Sequence, residues 1–372
     1  MSTFTCPIVS LEIVPHPDAD ALELAKVGGY VAVTQMGRFK TGDLAVYVPE
    51  DAVVPEDVLK ASGFWNEDTG KGYLAGSKGN RVKAIRLRGV LSQGILIDMD
   101  TYAGIVFDRE GPESVGAPED WEVGHDVASF LGIEKYVPPV PVHLAGDVKP
   151  CPGPLHAYTD IENLKKYPDV LTPGEEVIAT EKAHGSCMIV LYHEGEFYVS
   201  SKGFASKRLY LDDLKDEQGN SRNAYWRAFY AAKLDEKLRS FARDAEATTI
   251  HLFGEILGVQ DLKYGMENGD VRFVAFDIQV DGEDYMDYSA FAGLCYTYRI
   301  PQVPELYKGP FTEEAIAEVT DGRESFTGVT SHVREGVVIR PVRERRDLTL
   351  GRVILKSVSA DYLTRKNGTD WV

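Results

Sequence analysis

The stretch Glu181-Lys182-Ala183-His184-Gly185-Ser186 decides how the rest of this chain is read. Short apolar runs flank it, Val177-Ile178-Ala179 before and Met188-Ile189-Val190-Leu191-Tyr192 after. Both have the length and composition of strands, so the lysine falls at the end of a sheet, close to a glycine. A lysine amine is protonated at neutral pH, with an ordinary pKa of about 10.4. Burial or a second cation lowers that value and frees the lone pair to attack phosphorus or a carbonyl. Taken alone, the stretch reads more readily as a surface lysine in a turn, and the rest of the chain must decide.

The chain has 372 residues, 44% hydrophobic and 26% charged, an ordinary globular composition with length for two or three domains. No apolar run reaches the roughly 18 residues of a membrane span. Met1-Ser2-Thr3-Phe4-Thr5 has neither the basic start nor the apolar core of a signal peptide. Cys6, Cys151, Cys187 and Cys295 show no CxxC spacing. That argues against a disulfide framework or a structural zinc site, and for a reducing cytoplasm. A net charge of −18 argues against a non-specific nucleic-acid binder but leaves room for local basic sites. Three basic islands stand out. Arg81, Lys83, Arg86 and Arg88 recur near alternate positions, as on one strand face. Ser201 to Arg208 includes Lys207 and Arg208, and Arg334 to Lys366 carries nine Lys/Arg against four Asp/Glu. Each island fits phosphate contact as well as it fits a solvated strand edge.

Outward from the lysine, the N-terminal hundred residues read as short strands at Ile8–Ile13, Leu22–Val27, Tyr30–Thr34, Asp43–Val48, Arg81–Leu87 and Gly94–Ile97. Turn signals separate them, the pattern of a small barrel. Residues 69–79 are glycine-rich and read as a loose loop. Residues 101–123 are acidic without a clear period and read as an insertion. Proline-punctuated segments at 137–142 and 150–154 place a domain boundary near residue 145, between a unit 1–145 and a unit 146–372. In the second unit His193-Glu194-Gly195-Glu196 is a hairpin turn, and residues 223–242 carry one long helical stripe. Strands and helices do not alternate regularly, so the class is α+β with antiparallel sheets flanked by helices.

Five strand-end elements then follow in order: Glu181-Lys182-Ala183-His184-Gly185; Ser200-Ser201-Lys202-Gly203; Leu252-Phe253-Gly254-Glu255 with Phe276-Asp277; Arg334-Glu335-Gly336-Val337-Val338; and Ile354-Leu355-Lys356-Ser357. This order resembles the covalent nucleotidyltransferase superfamily of ligases and capping enzymes, whose catalytic domain is ATP-grasp-like. Thr180-Glu181-Lys182-x-His184-Gly185 is similar to the RNA ligase branch. Pro15-His16-Pro17-Asp18-Ala19-Asp20 and Lys83 to Gly94 resemble OB-type domains that bind transfer RNA. An OB-type barrel placed first is similar to the RNA ligase 5 family, the Deinococcus and Naegleria type.

The resemblance implies an ATP-dependent RNA ligase acting through lysyl-AMP and RNA-adenylate, with ATP as substrate and Mg2+ or Mn2+ as cofactor. Its partner would be RNA with 3′-OH and 5′-phosphate ends, a nicked duplex, and the protein a cytoplasmic monomer. Lys182 would be the nucleophile, with Lys356 and Glu335 as further catalytic residues. Glu181, Lys202, Glu255, Phe276 and Lys356 would bind ATP, and Glu335 and Glu255 would hold the metal through water. Arg86, Arg88, Lys207 and Arg208 would contact RNA. The residues themselves leave alternatives open: Phe276 is equally plain strand core, Lys202 a solvated hairpin lysine, Asp277 structural. Two departures bear on the expectation. Ile354 stands where relatives carry a first lysine, with Arg352 as the candidate replacement. His184 stands where some relatives carry aspartate, which leaves either a metal role or a hydrogen-bonded structural one. A DNA ligase, a GTP-using capping enzyme and a non-catalytic RNA-binding protein are the competing readings.

Overall fold

The computed structural model describes residues 4–111, 121–136, 147–328 and 332–365. Two units separate, residues 1–137 and 138–372. The boundary expected near residue 145 lies outside the described residues.

In the first unit, Leu44–Val48 is the central strand between Ile8–Ser10 and Ile95–Asp98, and Leu22–Val27 is central between Glu12–Pro15 and Tyr30–Gln35. Leu11 joins the two sheets, its N–H donating to the Asp43 carbonyl (3.0 Å). At the other edge Gln93 donates to the Val31 carbonyl (2.8 Å). The sheets thus curl into the expected small barrel. Alternation along Leu44–Val48 explains its two cores. Ala45 and Tyr47 face the barrel interior with Leu11, Ala32 and Leu96. Val46 and Val48 face outward, onto Leu59, Tyr102 and Val106.

Three expectations for this unit change. Residues 101–110 lie in a helix, Met99–Glu110, whose N-cap Asp98 accepts from the Thr101 N–H (2.8 Å). Met99, Tyr102, Ile105 and Val106 form its buried stripe, which the acidic exposed face had masked. Residues 69–79 are not loose: Gly72 and Gly79 cross so closely that a Cβ on either would sit about 2 Å from the other's carbonyl oxygen. The basic island 81–88 does not share one face. Arg81 is buried, ion-paired with Asp51 and stacked on the Tyr136 ring at 3.8 Å. Only Ile85–Leu87 is strand, and Arg88 (φ 47°) occupies the two-residue turn before Val90. Arg86 and Arg88 remain exposed.

The second unit is two facing sheets. One runs 148–150, 209–211, 196–201, 186–193, 249–257, 272–280, antiparallel throughout. The other runs 162–163, 355–358, 336–341, 176–181, 305–310. This is the expected α+β arrangement; strands 162–163 and 355–358 pair in parallel, and an isolated parallel bridge joins Ala275 to Gln302. The hairpin at Glu194-Gly195 is present, both residues at positive φ. The stripe at 223–242 is two helices, Ala224–Ala231 and Leu234–Asp244, separated at Lys233 in the left-handed region. The break re-aims the chain so that Trp226, Phe229, Leu238 and Phe241 all reach the first sheet.

One buried polar knot ties the sheets together. Asp277 is fully buried and accepts from Tyr158 Oη (2.8 Å). Its carboxylate pairs with Arg352 (2.7 Å) and Arg340 (3.0 Å). Arg352 also forks onto Glu344 (2.6 and 2.7 Å) and stacks on the Tyr285 ring at 3.6 Å. Asp277 is thus structural, one of the readings its sequence left open.

Removing one member of such a cluster strands buried charge, which typically costs about 3–5 kcal/mol. Asp277→Ala should lower the urea-unfolding free energy by an amount in that range. An unchanged midpoint would show that Glu344 alone balances both guanidinium groups.

Candidate active site

The strand Glu176–Glu181 is buried along nearly all its length and delivers Lys182 at its end. The ladder holds one residue further, through Lys182 N–H to the Gly336 carbonyl (2.9 Å). Because 176–181 and 336–341 are antiparallel neighbours, with Glu181 opposite Val337, Lys182 and Glu335 emerge side by side. Lys182 Nζ forms an ion pair with Glu335 Oε1. Gly336 is required there, since a Cβ would lie 2.1 Å from the Ser357 carbonyl oxygen.

Gly185 serves the same end on the other sheet. A Cβ on it would lie 2.1 Å from the Ile256 carbonyl oxygen and 3.0 Å from Glu255 Cγ. The bare backbone can therefore approach strand 249–257, and its N–H bonds to the Glu255 carboxylate. Burial pushes the Glu255 carboxyl up to about 8, and the charge of Glu335 adds to the rise. Lys182, the Gly185 N–H and Lys202 pull the other way. For Glu335, burial acts upward too, but Lys182 and His184 outweigh it and hold that carboxyl below its ordinary range.

His184 is a clasp. Its Nε2 donates to Asp261 Oδ1 (2.7 Å), its Nδ1 shares a hydrogen bond with Tyr362 Oη (2.8 Å), and its backbone N–H donates to Tyr264 Oη (2.8 Å). Arg365 closes the cluster on Asp261 (3.1 Å). These partners lie 77 to 178 residues away, so no local spacing announced them.

The remaining expected residues divide. Lys202 binds the Thr159 carbonyl (3.1 Å) and Asp160 (2.7 Å), and its charge still reaches Glu255 and Cys187. Phe276 occupies a β-bulge: Phe253 pairs with Asp277 and Gly254 with Ala275, leaving Phe276 between. Bulges re-aim side chains, and this half-buried ring packs in the layer between the sheets, with Cys187 and Val338. Lys356 pairs across from Val338, so its side chain shares that face. Glu181 is turned to Ser325, whose N–H (2.9 Å) and hydroxyl donate to Oε2, with Arg334 at 3.7 Å. Arg352 does not supply the missing phosphate clamp. It precedes the strand Leu355–Val358, and its guanidinium is committed to Asp277 and Glu344. The C-terminal basic island is largely consumed in the same way, Arg340 on Asp277, Arg345 on Glu175 and Arg365 on Asp261. Lys207 and Arg208 are exposed on the turn after the helix Lys202–Ala205. Arg86 and Arg88 belong to the first unit.

Among the described residues no cluster of three or more His, Cys, Asp or Glu side chains is built to grip a metal directly. Water-mediated binding fits better. Glu335 Oε2 is buried without a hydrogen-bond donor, and Glu255 has an anion's worth of unfavourable charge beside it. Two such oxygens suit a hydrated divalent cation.

A lysine at a strand end, paired with a glutamate and backed by a second glutamate across facing antiparallel sheets, defines a nucleotidyl-transfer type of domain. Residues 175–358 match the family model for RNA ligase, and residues 7–99 match that for an OB-fold domain. The chain belongs to the RNA ligase family, with the layout of the Naegleria type. It is 25% identical to the Naegleria gruberi RNA ligase solved with PPi, with 98% of each chain covered and a TM-score of 0.73. A lysine-to-methionine mutant of that ligase with AMP and Mn is 26% identical, covering 96% of this chain and 98% of that one, with a TM-score of 0.71. A glutamate-to-alanine mutant with ATP and Mn is 25% identical over 96% and 98%, with a TM-score of 0.70. No curated protein sequence matches the chain.

The raised Glu255 carboxyl carries a signed consequence. Between its unfolded value near 4.5 and its folded value near 8, the folded chain holds a proton that the unfolded chain has lost. Stability contributed by this group is therefore present at low pH and lost as pH rises through that window. In EDTA, Glu255→Gln should raise the Tm relative to wild type at the upper end of the window and leave the difference small near its lower end. A Tm difference independent of pH would sink the assignment.

Proposed function

We propose that this chain is an ATP-dependent RNA ligase that joins 3′-OH and 5′-phosphate RNA ends, in nicked duplexes, through lysyl-AMP and RNA-adenylate. The observation that carries the reading is the Lys182–Glu335 pair at adjoining strand ends, with Glu255 facing it, inside the segment that matches the RNA ligase family. The Naegleria ligase structures with ATP, AMP, Mn and PPi support the same substrate and metal.

In this reading Lys182 Nζ gives up a proton and attacks the α-phosphorus of ATP, forming a P–N bond as pyrophosphate leaves. Glu335, already in hydrogen-bond contact with the ammonium, is placed to relay that proton. A 5′-phosphate oxygen of the RNA then attacks the adenylate phosphorus, and Lys182 departs. The 3′-hydroxyl finally attacks the activated 5′-phosphate, and AMP leaves. Phe276 would stack on adenine, a contact worth about 1–3 kcal/mol for base–aromatic pairs. Glu255 would hold the ribose, while Lys202 and Lys356 would hold phosphate charge. Glu181 would act on the nucleotide only indirectly, through the Ser325 segment it anchors. A divalent cation, Mg2+ or Mn2+, held by Glu335 and Glu255 through water, would supply charge neutralisation at the α-phosphate.

The unit 1–145 would bind nucleic acid through Arg86 and Arg88, and the unit 146–372 would carry adenylylation, with Lys207 and Arg208 as outer RNA contacts. One chain suffices, since Lys182, Glu255, Glu335 and Lys356 all belong to one unit. The cysteines are free and no described helix is long and apolar enough to cross a membrane, which supports a place in the reducing cytoplasm.

Incubation with labelled ATP should give labelled protein whose label survives alkali and is released by acid, as a P–N bond requires, and that Lys182→Ala abolishes. Label from GTP alone, or label surviving in Lys182→Ala, would refute the reading. Arg86→Ala/Arg88→Ala should weaken nicked-RNA binding and flatten its salt dependence without reducing lysyl-AMP formation. Unchanged RNA affinity would remove those two residues from the substrate path.

A further inference from the structure

A shallow groove of about 750 Å³ lies outside the site just described, lined by Lys215, Asp216, Ser221, Arg222, Arg227 and Tyr230 and closed on one side by Gly269. Its charges are unevenly spent. Lys215 is paired with Asp213 (2.6 Å) and donates to Ser221 Oγ (2.9 Å). Asp216 is occupied by its own turn, accepting from the N–H groups of Gln218 (3.0 Å) and Asn220 (2.8 Å). Arg222 and Arg227 differ: neither forms an ion pair among the described residues, and the single bond between them runs from Arg227 Nη1 to the Arg222 carbonyl (3.1 Å). In the same unit Arg340, Arg345, Arg352 and Arg365 are all matched to carboxylates. Two unmatched guanidinium groups in one concave surface suit external oxyanions such as phosphate, which the guanidinium fork can meet with two N–H bonds.

Two chain connections run from this groove to the lysine motif. Tyr225, three residues after Arg222, has its hydroxyl 2.7 Å from that of Ser186 at the end of the lysine motif. Gly269 belongs to the loop between strands 249–257 and 272–280, which also carries Asp261 and Tyr264, two of the three partners of His184. The half-exposed Tyr230 ring, stacked on Trp226 with Lys215 Nζ 4.4 Å from its centre, adds a flat surface beside them.

We propose that this groove binds the sugar–phosphate backbone of the RNA strand beyond its reacting end, with Arg222 and Arg227 each taking a phosphate. The proposal rests on the RNA ligase reading. The groove is open rather than enclosed, as a through-running strand requires, and its contacts are to backbone, so it contributes affinity and register without choosing sequence.

The test uses the full chain, labelled ATP and a nicked RNA duplex titrated at several salt concentrations. Arg222→Ala/Arg227→Ala should weaken RNA binding roughly tenfold or more and reduce the log–log salt slope by about 1–2, with lysyl-AMP formation held. Arg222→Glu, at an exposed residue whose guanidinium forms no hydrogen bond or ion pair among the described residues, should do the same, and it decides the matter if Arg227→Ala impairs folding. Arg222→Lys should restore most of the affinity. Unchanged RNA affinity and slope in Arg222→Glu would overturn the proposal. So would lost lysyl-AMP formation with RNA affinity intact, which would make the groove a nucleotide-phosphate site. Failure of the ligase reading itself looks different, since wild type would then form no lysyl-AMP.

Discussion

The buried carboxylate of Asp277 is the constraint on which the second unit depends. It comes from the outermost strand of one sheet, while Arg340 comes from the second sheet and Arg352 from the segment that leads into it. Burying three charges carries a large desolvation cost. That cost is offset only because every member is multiply bound, with Tyr158, the Ile278 N–H and Glu344 sharing the load. The gain is in position. Arg340 also donates to the Phe276 carbonyl (3.2 Å), so the knot that joins the sheets fixes the bulge that aims the Phe276 ring. The separation of the sheets and the place of an aromatic platform between them are therefore set by one cluster.

The lysine site shows the opposite economy. Glu255 and Glu335 stand close with one lysine between them, and the three charges do not balance. Lys182 satisfies Glu335 and leaves Glu255 strained toward protonation. Anything that brings positive charge to the two carboxylates favours their ionised forms and relieves the strain on Glu255.

Much of this was legible because it is written locally. The strand-end glycines Gly185 and Gly336 mark where backbones approach to about 2 Å of contact with a hypothetical Cβ, and each sits beside a functional residue. Antiparallel class, barrel strands and the hairpin at 194–195 follow from alternation and turn residues in the same way. What failed to read was whatever depends on distant pairing. Arg352 looked like a phosphate clamp because its spacing from Lys356 is even, yet the irregular Val353-Ile354 step takes it off that strand and Asp277 captures it. Arg81 and Arg88 looked like one face until Asp51 claimed the first and a turn claimed the second. The helix at 99–110 was hidden because its stripe contributes only four buried residues among acidic neighbours.

This bears on how a chain of net charge −18 can hold a polyanion. Counting basic residues overstates the attraction, since most arginines near the site neutralise the protein's own carboxylates. The useful quantity is unmatched positive charge on a surface continuous with the site. By that measure Arg340, Arg345, Arg352 and Arg365 contribute little, while Arg222 and Arg227, in an unremarkable stretch, have charge to offer. A strongly acidic background then repels nucleic acid everywhere except where such groups are left over. Phosphates are thereby directed to a few places, and adventitious binding elsewhere is suppressed.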